Sequence, residues 1–211
     1  LTFINKEAFI STEAELRSLI GYPSELVEHK DISYLDEHCR DFIAKSPFVF
    51  ISTSNSNGEC DGSPRGDSAG FVHVVDDKHL VIPERPGNKR IDSLRNILSN
   101  PEIGLVFLIP GLGETLRING RAFITKDNEL LETMAANGKI PLLGIVVAVD
   151  ECFLHCAKAF RRSKLWESDS WLHKNELPSP SKIIASHVNL EGVTSEMVAA
   201  RLEEGYTKRL Y

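Results

Sequence analysis

The spacing of apolar residues changes at Pro47, and that change organises the chain. Upstream, residues 11–45 carry a helical repeat. The stretch "EAELRSLIG" runs to Gly21, and "SYLDEHCRDFIAKS" puts Leu35, Cys39, Phe42 and Ile43 on one stripe. Downstream the period falls to that of strands. "FVFISTS", "CDGSPRG", "GFVHVV" and "HLVIP" read as extended segments, with "NSNGE" and "DDK" as turns. A helix over 88–99 follows, then "IGLVFLIP", a "GLGE" turn and "TLRINGRAFIT". A short helix covers "DNELLETMAANG", and "LGIVVAVDECFLHC" is a further strand, bent near Asp150. "AKAFRRSKLW" reads as helix, "SDSWLHKNELPSPS" as loop and "SEMVAARLEEGY" as the last helix.

Short strands in succession, joined by hairpin-like turns, predict a mainly β (α+β) antiparallel barrel with helices at its edges. Helices do not alternate with the strands, which counts against a doubly wound parallel sheet. The Pro/Ser stretch at 178–181 is too short to divide domains. The expectation is one domain over 1–211, with a helical N-terminal segment at about 11–45 and a helical C-terminal extension at about 157–211.

Composition narrows the partners. A net charge of −6 argues against a general nucleic-acid or membrane-surface binder, whose footprint is basic. No apolar run approaches the roughly 20 residues that span a bilayer. "LTFINKEAFISTEAEL" has charges where a signal peptide has its apolar core. The cysteines at 39, 60, 152 and 156 form no CxxC pair, and a reducing cytoplasm is the expected location.

Against this acidic background one cluster of cations stands out. In "PERPGNKRIDSLRNILSNPEIG", Pro86-Gly87 makes a turn, Asn88 reads as an N-cap, and Ile91, Leu94 and Leu98 recur at helical spacing. Lys89 and Arg90 then fall in the first helical turn, with Arg85 just before, at the end of a helix that disfavours cations. A bound phosphate reverses that penalty, because helix N-termini bind anions. The alternative is a solvated turn screened by Glu84 and Asp92. In "SPRG", Arg65 is presented rigidly between Pro64 and Gly66. In "TLRINGRAFIT", Thr115, Arg117, Asn119, Arg121 and Thr125 alternate with apolar residues and share a strand face. That face either meets water or lines a polar pocket for a large anion.

The run "SPRGDSAGFVHVVDDKHLVIPERPGNKRIDSLRNILSNPEIGLVFLIPGLGETLRINGRA" resembles the flavin-binding split barrels of the pyridoxamine 5′-phosphate oxidase-like superfamily. Within it, the likeness is to a bacterial subfamily of FMN-dependent enzymes with SPRGD, RPGN and LRxNGRA signatures. The resemblance extends from about residue 30 to the final "LY". It implies a six-stranded Greek-key split barrel that dimerises and holds two FMN molecules in clefts between subunits. Ser63 and Arg65 would run beside the flavin and its phosphate tail, and Arg85, Asn88, Lys89 and Arg90 would hold the phosphate. Thr115 and Arg117 would approach from the neighbouring strand, on the partner subunit. The oxidases themselves carry Ser-Arg-Lys at the phosphate turn where this chain has Asn88-Lys89-Arg90. Their C-terminal arginine-rich signature for pyridoxal phosphate has no counterpart here, which counts against vitamin B6 oxidation.

Two other constellations carry chemistry-bearing residues. In "CFLHC", strand geometry puts Cys152 and Cys156 about 13 Å apart with His155 on the opposite face, which excludes a shared metal and predicts buried thiols. In "HCAKAFRRSKLWES", a helical face would offer Arg162 and Trp166 to a substrate, or else meet water. No acid–base dyad is visible, and none is expected where a cofactor carries the chemistry. The sequence therefore reads as a homodimeric FMN-dependent oxidoreductase acting on a small molecule, without metal, nucleic acid or membrane. The alternatives are a non-catalytic flavin-binding protein and a split barrel that holds haem or a deazaflavin.

Overall fold

The computed structural model describes residue 5 and residues 8–211 and divides into two compact units, Leu1–Asp31 and Ile32–Tyr211. The first unit carries helices α1 (Glu13–Ile20) and α2 (Glu25–Glu28). The Thr12 hydroxyl caps α1 by accepting from the Glu15 N–H at 3.3 Å, and Gly21 closes it with φ 80°.

The second unit begins with α3 (Glu37–Lys45), capped by the Asp36 carboxylate, which accepts from the Cys39 N–H at 2.8 Å. Strands β1 (Phe48–Ser54), β2 (Cys60–Gly66), β3 (His73–Val74) and β4 (His79–Pro83) follow. Then come α4 (Asp92–Ser99), β5 (Glu102–Leu108), β6 (Thr115–Thr125), α5 (Asn128–Glu132) and β7 (Gly144–His155). The chain finishes with α6 (Lys158–Ser163), α7 (Pro180–Val188) and α8 (Ser195–Lys208).

All strand pairs are antiparallel, in the order β2-β1-β5-β6-β7-β4-β3. Val49 and Ile51 of β1 share one core with Leu80 and Ile82 of β4, although three strands separate them in the sheet. The sheet therefore curls on itself, and Leu35, Cys39 and Ile43 of α3, with Leu94 and Ile97 of α4, pack into the same core. The helical stripe read around Cys39 is thus the buried face of α3. On the other side of β4, Val81 packs against Leu131 and Met134, which explains why "HLVIP" is apolar at every position from Leu80 to Pro83.

Several sequence expectations need correction. The sheet has seven strands, one for each extended segment read from the sequence, where the family resemblance implied six; "GFVHVV" supplies only the two-residue strand β3. Phe71 and Val72 turn into the core after Gly70, at φ 79°, and so shorten that strand. The loop expected through residue 181 is helical from Pro180, with Ser179 as the cap and proline in the first turn. The helix over "DNELLETMAANG" closes after Glu132.

The bend near Asp150 is a β-bulge: Asn119 faces Glu151, and the next residue, Gly120, faces Val149. A Cβ on Gly120 would lie 2.1 Å from the Ala148 carbonyl oxygen, so the two strands approach closely here because residue 120 has no side chain. Gly120→Ala is expected to cost about 3 kcal/mol or more of stability, as overpacking against fixed backbone does. Gly104→Ala, whose nearest contact would be an ordinary 3.4 Å, should cost much less. Urea unfolding of both variants checks the difference.

Candidate functional site

A depression lies where β2 faces the turn before α4. Its volume is about 1090 Å³, and Ser63 and Arg65 form one wall while Arg85, Asn88, Lys89 and Arg90 form the opposite one. The 139–143 segment, Phe71 and the Leu210-Tyr211 pair complete the lining. Six of the eight residues read from the sequence as cofactor ligands therefore border one cavity. A smaller depression of about 570 Å³ at the far end of β1 and β2 has Asp61 and Glu102 in its lining and no lysine or arginine. It does not suit an anion.

Each cation of the larger cavity has a distinct role. Arg65 is half-buried and fixed: its Nε donates to Glu84 at 3.2 Å and its Nη1 to the Ser63 hydroxyl at 2.5 Å. Arg85 is fixed more tightly still, donating to the Asp67 carboxylate at 2.7 Å and to the Met134 carbonyl at 2.9 Å. Arg90 donates to Asp92 at 2.8 Å. Among the described residues Lys89 makes no ion pair or side-chain hydrogen bond, so its charge is uncommitted. With Lys139, five cations and three carboxylates (Asp61, Glu84 and Asp92) line the cavity, a local excess of positive charge in an acidic chain.

The helix start differs from its sequence reading. Helix α4 begins at Asp92, and Ile91 occupies the cap position in left-handed conformation, φ 55°. Asn88 is not the N-cap; its side-chain oxygen accepts from the Arg90 N–H at 2.9 Å and closes a turn. Lys89 and Arg90 thus precede the helix rather than oppose its dipole from within the first turn. Lys89 is also left-handed, φ 63°. Two side-chain-bearing residues held there, one of them β-branched, store roughly 1–3 kcal/mol each of strain, a pattern that clusters at ligand sites.

Asp67, absent from the sequence reading although it ends the SPRGD motif, organises the cavity's rear. Its side chain is 3% exposed and, besides pairing with Arg85, accepts from the Tyr211 hydroxyl and the Ser68 N–H, both at 2.7 Å. The Tyr211 ring in turn lies 5.9 Å from the Arg85 guanidinium carbon. Lys139 donates to the Tyr211 carbonyl oxygen at 2.5 Å. Arg85, expected as a phosphate ligand, lines the cavity and also joins residues 67 and 211.

The remaining candidates lie elsewhere. Thr115 is buried, 3% exposed, and Arg117 packs its guanidinium over the Phe153 ring at 5.1 Å, both on β6 and outside the cavity lining. Arg162 and Trp166 do not share a helical face, because α6 ends at Ser163 with Lys164 left-handed. Trp166 stacks on Phe160 at 5.7 Å and donates to the Leu112 carbonyl at 2.9 Å. Of the thiols in "CFLHC", Cys152 is fully buried, but Cys156, expected to be buried too, lies beyond the end of β7 and is exposed. No three potential metal ligands cluster among the described residues.

A curled antiparallel sheet with flanking helices defines the class as an antiparallel β-barrel. The sequence profile of the pyridoxamine 5′-phosphate oxidase family matches residues 35–156, more than half of the chain. The chain belongs to that family. No curated protein matches it significantly. Among solved structures, HupZ of Group A Streptococcus is 20% identical, with 56% of this chain and 92% of that one covered and a TM-score of 0.45. General stress protein 26 of Bacillus anthracis is 16% identical over 56% of this chain and 93% of that one, with a TM-score of 0.41. An FMN-binding protein of Syntrophomonas wolfei is 12% identical over 56% and 88%, with a TM-score of 0.42. The family assignment rests on the 35–156 match.

The Asp67 network makes acid sensitivity a direct readout. Burial acts to raise the Asp67 carboxyl, and the Tyr211 hydroxyl, the Ser68 amide and Arg85 together outweigh it, holding the group below its usual value. Stability from this group is therefore fully present above an unfolded pKa of about 3.9 and is lost as pH falls through the lower folded value. Asp67→Asn is expected to be less stable at neutral pH by about 3 kcal/mol, because it leaves Arg85 unpaired. Below about pH 4 its stability should fall less steeply than that of the native chain. Denaturant unfolding across the acid range checks both expectations.

Proposed function

We propose that the chain is an FMN-dependent oxidoreductase that works as a homodimer on a small organic substrate, with a nicotinamide or similar electron donor. The observation that carries this reading is the cationic 85–90 turn facing the SPRG strand across one cavity, in a chain of the pyridoxamine 5′-phosphate oxidase family. The residues present fit the cofactor. The volume suits a ligand of nucleotide size. Lys89 offers an uncommitted charge to a phosphate, and Arg90 can exchange Asp92 for it. Phe71, Pro141 and Leu143 offer apolar surface to a planar ring. When bound, FMN would supply the hydride and electron transfer.

The chain's own residues bind and orient. Arg65, held by Glu84 and Ser63, presents its guanidinium with little freedom left to lose on binding. Asp67, Arg85 and Tyr211 keep the cavity wall in place and limit water at the ring. A second copy completes the site in this reading. Across the sheet, Phe50, Val106, Arg117 and Phe153 stand in register on neighbouring strands, with Phe50 38% exposed. An isologous contact on this face would cover that apolar row and assign Arg117 to the partner's cofactor.

Two measurements test the reading. The protein loaded with FMN is expected to sediment as a dimer and to bleach anaerobically on NADH or NADPH, with colour restored by an organic acceptor. A monomer with flavin still bound would remove the dimeric site, and colour that resists both nicotinamides would leave a non-catalytic flavin protein. Titration of apoprotein separates the phosphate contacts: Lys89→Ala and Arg90→Ala should each weaken FMN roughly tenfold to a hundredfold, the worth of a charge-assisted hydrogen bond. Riboflavin, which lacks the phosphate, should bind poorly and ignore both changes. Unaltered FMN affinity in both variants would move the phosphate elsewhere.

A further inference from the structure

Cys39 and Cys152 are 113 positions apart in sequence, yet their sulfurs lie 3.3 Å apart in the core, where α3 crosses β7. The pair is nearly enclosed, Cys152 at 0% and Cys39 at 8% exposure. The backbone around it is already joined. Ile32, just before α3, exchanges two hydrogen bonds with Cys152, at 3.0 and 2.7 Å. The two thiols are not equivalent. Cys152 donates to Cys39, and that hydrogen bond holds the Cys39 thiol below its ordinary pKa and pushes Cys152 up. Cys39 also sits in the first turn of a nine-residue helix, where the backbone dipole favours a thiolate and the capping Asp36 carboxylate opposes it, the hydrogen bond from Cys152 outweighing that opposition.

We propose that Cys39 and Cys152 form a reversible disulfide under hydrogen peroxide, fastening α3 to β7. The Cys39 sulfur, the more nucleophilic and the less enclosed, attacks one peroxide oxygen. The O–O bond breaks, water leaves and a sulfenic acid remains on Cys39. The Cys152 sulfur then attacks the Cys39 sulfur, the S–O bond breaks and a second water carries away the oxygen and the thiol proton. Two thiols are oxidised by two electrons in all, and one peroxide is reduced to two waters. Closing the bond takes the sulfurs from 3.3 Å to about 2.05 Å.

The consequence reaches the cavity through α3. That helix leads into Pro47, whose carbonyl accepts from the Asp67 N–H at 3.1 Å, and Asp67 holds Arg85. A bond at Cys39 anchors the far end of the same helix, and closing so long a loop should raise the melting temperature by roughly 5–15 °C.

The test uses the protein as purified, with Cys60 and Cys156, both exposed, replaced by serine to prevent mixed pairing. After limited hydrogen peroxide, free thiols are alkylated, the chain is digested without reductant, and a peptide linking Cys39 to Cys152 is sought by mass spectrometry. The expected result is that linked peptide with a raised melting temperature, both reversed by dithiothreitol. The same treatment of the native chain, which requires no variant to fold, should yield the same peptide. Cys39 and Cys152 both fully alkylated after unfolding, or Cys39 over-oxidised with no linked peptide, would overturn the proposal.

Discussion

Taking the Asp67 carboxylate out of water is costly unless its oxygens are fully used, and three separate stretches of chain converge to use them. Arg85 arrives from the turn after β4, Tyr211 from beyond α8, and Ser68 from Asp67's own loop. The Asp67 N–H is held by Pro47, at the corner between α3 and β1. Arg85 and Tyr211, both in the cavity lining, are thereby tied to the barrel through Asp67. Arg85 lines the hollow between β2 and the 85–90 turn while its guanidinium is committed to Asp67 and the Met134 carbonyl.

That commitment sorts the cations by task. Arg85 and Arg65 are each satisfied by a carboxylate and contribute shape and directed donors. Arg90 pairs with Asp92 at the surface, where such a pair is worth little and is readily exchanged. Lys89 has no such partner among the described residues and stands on a left-handed backbone. The charge left without a partner is thus carried by a residue on strained backbone, beside a second strained residue, Ile91.

Much of the fold was legible because periodicity reports burial. The alternation in "TLRINGRAFIT" marks β6, with Leu116, Ile118 and Ala122 buried, and the repeat around Cys39 marks the inner face of α3. What escaped was long-range. Nothing local distinguishes Cys39 from any small apolar residue on its stripe, and its neighbour Cys152 is set by how α3 crosses the sheet. Tyr211 likewise has no local signal, because its partner lies 144 residues away. Asp67 did have one, as the last letter of SPRGD. A carboxylate beside so many cations was the hint that some of them were spoken for.

The 85–91 stretch shows how a partly mistaken reading of the helix start still led to residues that line one cavity. Sequence rules place a helix start at Asn88, since asparagine is a good cap and glycine precedes it. Backbone dihedrals decide otherwise, and propensity cannot foresee them: lysine and β-branched isoleucine are rarely left-handed, so Lys89 and Ile91 read as helical. Delaying the helix to Asp92 moves both cations off its first turn and onto a loop that projects into the cavity. The conflict with the helix dipole that drew attention to these residues is thereby removed. What replaces it is an energetic argument of the same sign: a strained loop with an unmatched positive charge is stabilised by the arrival of an anion, and least stable without one.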